Sequence, residues 1–262
     1  MCATTTQPKF VSESLAEPYM RITGTDYRKS HLAKGIDYDR SLSAAGVDSY
    51  MAEQERHILC TRVVPEFLGR MHRYLDFACG TGRVTQCLAR FARESYGLDV
   101  SESMIEQARV KCPKTTFLIG DITREKVAIS PVSVVSAFRF FGNAQDELRR
   151  SALQAIARLL VPGGHLVINN HRNPWAIKNL LSTVRGHKHS LDLSPTKLKR
   201  QLTDAGFKIM AAYGIGFWMI GDRFQTPACL SSSIPVSFER LSFLPGVSPF
   251  CPDAIIVAKR EP

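Results

Sequence analysis

The sequence predicts an α/β protein whose mostly parallel sheet is covered by helices on both faces and preceded by a helical segment. Two observations carry this. From Tyr74 onward, short apolar or β-branched runs alternate with stretches whose apolar residues recur at helical spacing. The chain, 262 residues with 44% hydrophobic side chains, is long and apolar enough to bury the core of one large α/β domain.

Residues 1–20, rich in Thr, Ser and Pro, read as a mobile arm, and residues 21–70 as a helical cap in which Ile58, Leu59, Val63 and Val64 share a face. Tyr74–Ala78 is the first strand, and Val84, Cys87, Leu88 and Phe91 form the stripe of the helix behind it. Ser95–Val100 is the second strand, after which Ser101 is placed to cap a helix whose inner face carries Met104, Ile105, Ala108 and Cys112. Thr115–Ile119 is the third strand and Val132–Phe138 a buried fourth. A stripe of Leu148, Ala152, Ile156 and Leu159 ends at Pro162-Gly163-Gly164, and His165–Asn169 is the fifth strand. Ser194 and Pro195 start a further helix that Gly206 stops, and Phe207–Tyr213 and Ala254–Lys259 are the last two strands. The insertion at about 217–252, with Phe217, Trp218, Phe224 and Phe238, is too long for a plain connection and reads as a lid over an apolar pocket.

Bulk properties narrow the setting. No apolar run is long enough to cross a bilayer and no signal-peptide pattern opens the chain, so no membrane partner is expected. Seven scattered cysteines without CxxC spacing fit reduced thiols in the cytoplasm. His187 and His189 lack evident partners, so no metal is expected. The net charge of +10 admits anionic partners without selecting one. Its densest group, Lys197, Lys199 and Arg200, fits the solvated face of a helix.

Chemistry concentrates at three strand tips. In Leu75-Asp76-Phe77-Ala78-Cys79-Gly80-Thr81-Gly82-Arg83 a strand ends in closely spaced glycines and enters a helix, so a ligand can press against bare backbone. A purely structural tight turn would look similar. Asp99, in Gly97-Leu98-Asp99-Val100-Ser101, puts a carboxylate at the next tip, where it can accept both hydroxyls of a ribose. Gly120-Asp121 follows the third strand, as a turn former or beside an adenine edge.

In this order and spacing, these motifs resemble the cofactor-binding motifs of class I S-adenosylmethionine-dependent methyltransferases, over about residues 70–170. Leu159–Asn169, with its Pro-Gly-Gly, is similar to that family too. The resemblance implies a doubly wound, seven-stranded, mostly parallel sheet with an antiparallel last strand, residues 71–262 forming the Rossmann-like catalytic domain. It implies S-adenosylmethionine as cofactor, with Asp76 and Gly80 at its methionine end, Asp99 on the ribose, and Asp121 with Ile122 at the adenine. Ala78, Gly82, Val100, Met104 and Phe138 would surround the same molecule, and Tyr38 and Tyr27 resemble aromatic residues that fold over it in related enzymes, though ordinary packing would look alike. Ala78 departs from the family by replacing a glycine, and the fourth strand lacks an acidic start.

A nicotinamide dehydrogenase is disfavoured, because Thr85 stands where its fingerprint needs a third glycine and Asp76 would repel a pyrophosphate. On the acceptor side, Arg139 can clamp a carboxylate or phosphate or pair with a nearby acid. His171, beside Asn169 and Asn170, can act as a general base or be a loop histidine satisfied by backbone. The resulting expectation is methyl transfer to a small-molecule acceptor, with no nucleic acid bound. A nucleic-acid or protein methyltransferase is the alternative that the charge admits. Phe138-Arg139-Phe140 stands where base-methylating enzymes carry an Asn/Asp-Pro-Pro-Tyr type of motif, and the intact tips argue against a non-catalytic module.

Overall fold

In the computed structural model, residues 27, 46–184, 186, 193–217, 239–244 and 246–262 are described. The N-terminal arm, Tyr38, His187, His189 and positions 218–238 of the insertion lie outside the described residues.

Seven strands form one sheet in the order β3-β2-β1-β4-β5-β7-β6. They are β1 (Met71–Phe77), β2 (Ala92–Asp99), β3 (Thr116–Ile119), β4 (Val132–Ala137), β5 (Leu160–Asn169), β6 (Phe207–Ile215) and β7 (Asp253–Arg260). The first five run parallel, and β7 is antiparallel to both of its neighbours. The helices are α1 (Gly46–Ile58), α2 (Arg83–Leu88), α3 (Glu102–Lys111), α4 (Asp146–Leu159), α5 (Ile177–Val184) and α6 (Pro195–Asp204). A wider helical stretch, Leu59–Leu68, prolongs α1. There Gly69 donates to the Val64 carbonyl five residues back at 2.7 Å, and Pro65 has no N–H with which to close a normal α-turn.

The pleat divides the core. Leu75, Val135, Ala137, Leu166 and Ile168 point to the face covered by α4 and α6, through Leu153, Ile156, Leu198 and Leu202. Their neighbours Tyr74, Val134, Val167 and Val257 point to the other face, where Ile58, Leu59, Val63 and Val64 meet Val84 and Leu88 of α2. Burying each of the four apolar side chains at Ile58–Val64 contributes roughly 1.5–3 kcal/mol, which holds that helical segment firmly on the sheet.

Three local expectations are revised. β2 begins at Ala92 and β5 at Leu160, both ahead of their apolar runs. Pro162-Gly163-Gly164 therefore does not separate helix from strand but lies inside β5. The β4 to β5 register slips there between Val132 and Val134, and Gly163 takes φ +77°. Ser101 precedes α3, yet its hydroxyl takes no capping bond from the helix. Ser194 does cap α6, accepting from the Lys197 amide at 3.2 Å, with Pro195 in the first turn. Among the described residues no helix is long and apolar enough to cross a membrane.

Order along the sheet reverses between β1 and β4, so the connections leaving these strands run to opposite sides and open a crevice at the carboxyl edge. The turn after β1 shapes it. Gly82 has φ +81°, and a Cβ there would lie 3.1 Å from the Ala108 Cβ and 3.3 Å from its Cα. Gly82→Ala therefore combines backbone strain with a clash against α3 and should lose about 2 kcal/mol in urea unfolding. Ala78, already at φ +53°, should tolerate Ala78→Gly with no loss.

Candidate active site

The β1 to α2 turn is held from inside the sheet. Asp76, 1% exposed, accepts the Thr85 hydroxyl on one carboxylate oxygen and the Ser136 hydroxyl on the other, each at 2.6 Å. Ser136 also shares a 2.7 Å hydrogen bond with the Tyr74 hydroxyl. Thr85, the residue that departs from a dinucleotide fingerprint, thus locks α2 to β1. Burial pushes the Asp76 carboxyl up from 3.8 to about 6, outweighing the lowering by the two hydroxyl bonds and by Arg83.

Above this anchor, Ala78, Gly80 and Gly82 all take positive φ, turning the backbone outward. Asp99 ties the turn to the tip of β2: one carboxylate oxygen accepts from the Gly80 N–H at 2.8 Å and the other from the Ser101 N–H at 2.9 Å. Cys79 adds a backbone bond to Leu98 at 3.1 Å. At the β3 tip, Asp121 accepts from both the amide and the hydroxyl of Thr123, at 2.9 and 2.6 Å. It is a turn former and also borders the crevice.

These tips wall a cleft of about 970 Å³, solvent at its mouth included. Asp76, Ala78, Gly80, Asp99, Val100, Met104, Asp121, Phe138 and Arg139 line it, as does Tyr27. Three expected residues do not. Gly82 is turned toward Ala108 behind the turn. Ile122 is buried in the core under the sheet. His171 stands over Gly142, where a Cβ would lie 2.8 Å from the imidazole Cε1. Tyr38 lies outside the described residues.

The lining suits a nucleoside joined to an amino acid. Leu98, Val100 and Met104 offer an apolar wall for a base, and Asp99 stands beside it for ribose hydroxyls. Gly80 keeps the floor open, since a Cβ there would fill the space toward the Met104 sulfur, 3.6 Å away. The residues present therefore fit S-adenosylmethionine. Asp76 and Asp99 both border this cleft, and each uses its two oxygens to hold the turn as well.

The β4 tip is built differently. Arg139 has φ +58°, an unfavourable backbone for a side-chain-bearing residue, and several groups hold it there. Its N–H donates to the Asn169 side-chain oxygen at 2.6 Å, and its carbonyl accepts from Asn143 at 2.6 Å and from the Tyr27 hydroxyl at 3.1 Å. Its guanidinium lies 3.6 Å from Asp48 of α1 and also borders the cleft, so pairing with an acid leaves it at the acceptor end. The Asn169 side-chain NH₂ donates to Glu55 at 2.9 Å and to Asp253 at 3.1 Å, and Arg83 pairs with Glu55 at 2.5 Å. Burial and the neighbouring Glu55 carboxylate push the Asp253 carboxyl up. Sequence reasoning missed Asp48, Glu55 and Asp253. No spacing marks them, because they come from distant segments that meet only across the sheet edge. Among the described residues, no cluster of metal-ligating side chains is found.

The raised Asp76 carboxyl has a consequence for stability. The unfolded chain ionises this group from about pH 4 while the folded chain resists until about 6, so stability falls across that window and stays lowered above it. The difference corresponds to about 3 kcal/mol. Asp76→Asn should gain stability relative to the native chain by about that amount between pH 4 and 7 in denaturant titrations. A pH-independent difference between the two would contradict this.

Comparison with known proteins agrees with the geometry. A family model described as a methyltransferase domain matches residues 74–164. The ubiquinone biosynthesis O-methyltransferase of Alkalilimnicola ehrlichii is 31% identical over 171 residues, covering 58% of this chain and 67% of that protein. The enzyme of the same name from Methylococcus capsulatus is 25% identical over 181 residues, covering 63% and 73%. Magnesium protoporphyrin IX methyltransferase from Synechocystis, solved with bound S-adenosylhomocysteine, shares the fold with a TM-score of 0.62 at 17% identity, covering 89% of this chain and 98% of that one. With the glycine turn, the carboxylate-tipped second strand and a relative matched over two thirds of its length, this chain belongs to the class I S-adenosylmethionine-dependent methyltransferase family.

Proposed function

We propose that the chain transfers the methyl group of S-adenosylmethionine to an oxygen or nitrogen of a small-molecule acceptor. The observation that carries this is the continuity of the cleft. One cavity runs from the tips of β1, β2 and β3 to Phe138, Arg139 and Phe140 beyond β4, so donor and acceptor ends share one enclosure. The cofactor supplies an electrophilic methyl on a sulfonium, and the protein's task is alignment. Asp99 is assigned to the ribose hydroxyls, Gly80 to the bare floor beneath the methionine end, and Val100, Met104 and Asp121 to the adenine. The names of relatives support acceptors of this size, including the sugar-nucleotide N,N-dimethyltransferase of Streptomyces venezuelae, 33% identical over 103 residues.

On the acceptor side Tyr27, Phe138, Phe140 and Leu148 make an apolar surround with Arg139 as its cation. That combination favours a flat, partly apolar acceptor carrying an anionic or strongly polar oxygen, which a guanidinium orients. No histidine is among the described cleft residues, and an acceptor oxygen already ionised beside Arg139 needs no separate base. The helical cap and the insertion are assigned to the acceptor end. Two bonds support this: Tyr27 to the Arg139 carbonyl, and Tyr50 of α1 to Glu239 within the insertion, 2.6 Å long. The free thiols at Cys60, Cys79, Cys87, Cys112 and Cys251 suit a cytoplasmic setting.

Incubating the protein with S-adenosylmethionine and a metabolite extract should yield a product heavier by one methylene in mass spectrometry. Salt-sensitive RNA binding with methyl incorporation into RNA would favour the nucleic-acid reading instead. Asp99→Ala should weaken binding of S-adenosylhomocysteine by about 2–4 kcal/mol in calorimetry, since charge-assisted hydrogen bonds to the ribose are lost. Arg139→Ala should reduce turnover far more than cofactor affinity, and equal losses would place the arginine at the cofactor.

A further inference from the structure

Away from the cleft, two cysteines from separate segments meet. Cys60 lies on the wide helical stretch after α1 and Cys87 on α2, and their sulfurs are 3.1 Å apart. About 1 Å of further approach completes a disulfide bond. The two sulfurs differ in surroundings. Cys60 is half-buried and accepts a hydrogen bond from the Arg90 guanidinium at 3.2 Å, while that guanidinium is held over the Phe91 ring, 4.8 Å from its centroid. Cys60 is thus the sulfur of the pair that solvent, and a dissolved peroxide, can reach. Cys87 is buried, and burial with the neighbouring Cys60 pushes its thiol up to about 12, so it stays protonated.

We propose that Cys60 and Cys87 form a peroxide-responsive pair, in which Cys60 is the attacked sulfur and Cys87 the resolving one. The Cys60 sulfur attacks a hydroperoxide, the O–O bond breaks, and one oxygen stays on sulfur as a sulfenic acid while the other leaves as water or an alcohol. The Cys87 sulfur then displaces that hydroxyl, which departs as water with the Cys87 proton, leaving an S–S bond. Both sulfurs are oxidised and one hydroperoxide is reduced. The bond would tie α2, which begins at the cofactor turn, to the helical segment that bears Asp48 and Glu55, so oxidation acts on the scaffold of the site. Cys79, Cys112 and Cys251 have no comparable sulfur partner among the described contacts.

The test needs only the intact, reduced protein and hydrogen peroxide at a few equivalents. After alkylation of free thiols, trypsin releases Cys60 in residues 57–62 and Cys87 in residues 84–90, each peptide holding a single cysteine. The proposal expects these two peptides joined, two hydrogens lighter than their sum, and separated again by dithiothreitol. Both peptides recovered alkylated at peroxide levels that oxidise other cysteines would overturn it. In Cys87→Ser, dimedone should be captured at Cys60, and capture only elsewhere would refute Cys60 as the attacked sulfur.

Discussion

The cleft depends on a buried carboxylate at its floor that holds three elements together. Asp76 sits at the end of the central strand, and its two oxygens hold the first turn of α2 through Thr85 and the neighbouring strand through Ser136. Three elements are thereby fixed at one point, and the backbone between them is committed to the left-handed conformations at Ala78, Gly80 and Gly82. The carboxylate costs desolvation energy, which its raised pKa records. What it secures is a turn whose amide at Gly80 meets Asp99, and so the spacing between the first two strand tips.

The same logic recurs at β4 with a different hub. Strain at Arg139 is offset by hydrogen bonds that fix both sides of its peptide unit, and Asn169 is itself held between Glu55 and Asp253. An amide placed between two carboxylates has its orientation decided, because only its NH₂ can face them. Its oxygen is then left to take the Arg139 N–H. Segments remote in sequence, α1, β5 and the start of β7, thus converge to aim one cation. Buried polar networks of this kind stabilise only when their members are satisfied, which makes the arrangement specific to one geometry.

Much of this was legible beforehand because it follows short-range rules. Strand and helix order came from apolar periodicity, and Asp99 came from its place at a strand tip. Ser194 with Pro195 marked a helix start that the structure reproduces. Where reading failed, longer-range packing decided. Gly82 reads as a ligand-facing glycine, but only tertiary contact reveals that Ala108 demands it. Pro162-Gly163-Gly164 reads as a helix stop, yet pairing of Leu160 with Val132 pulls it into the sheet. His171 follows the fifth strand as a base would, but its ring stands over Gly142 and is not among the residues that line the cleft. Asp48, Glu55 and Asp253 carry no local signature at all, since their roles exist only once the N-terminal helix lies on the sheet.

The central claim is that the three strand tips hold one adenosine, with Asp99 at its ribose. A crystal structure of the complex with S-adenosylhomocysteine tests it most directly. The account predicts both ribose hydroxyls within hydrogen-bond distance of Asp99, the adenine between Val100 and Asp121, and the homocysteine sulfur directed toward Phe138 and Arg139. Density for the ligand in another cavity, or an adenine lodged at the β4 tip with Asp99 untouched, would contradict it.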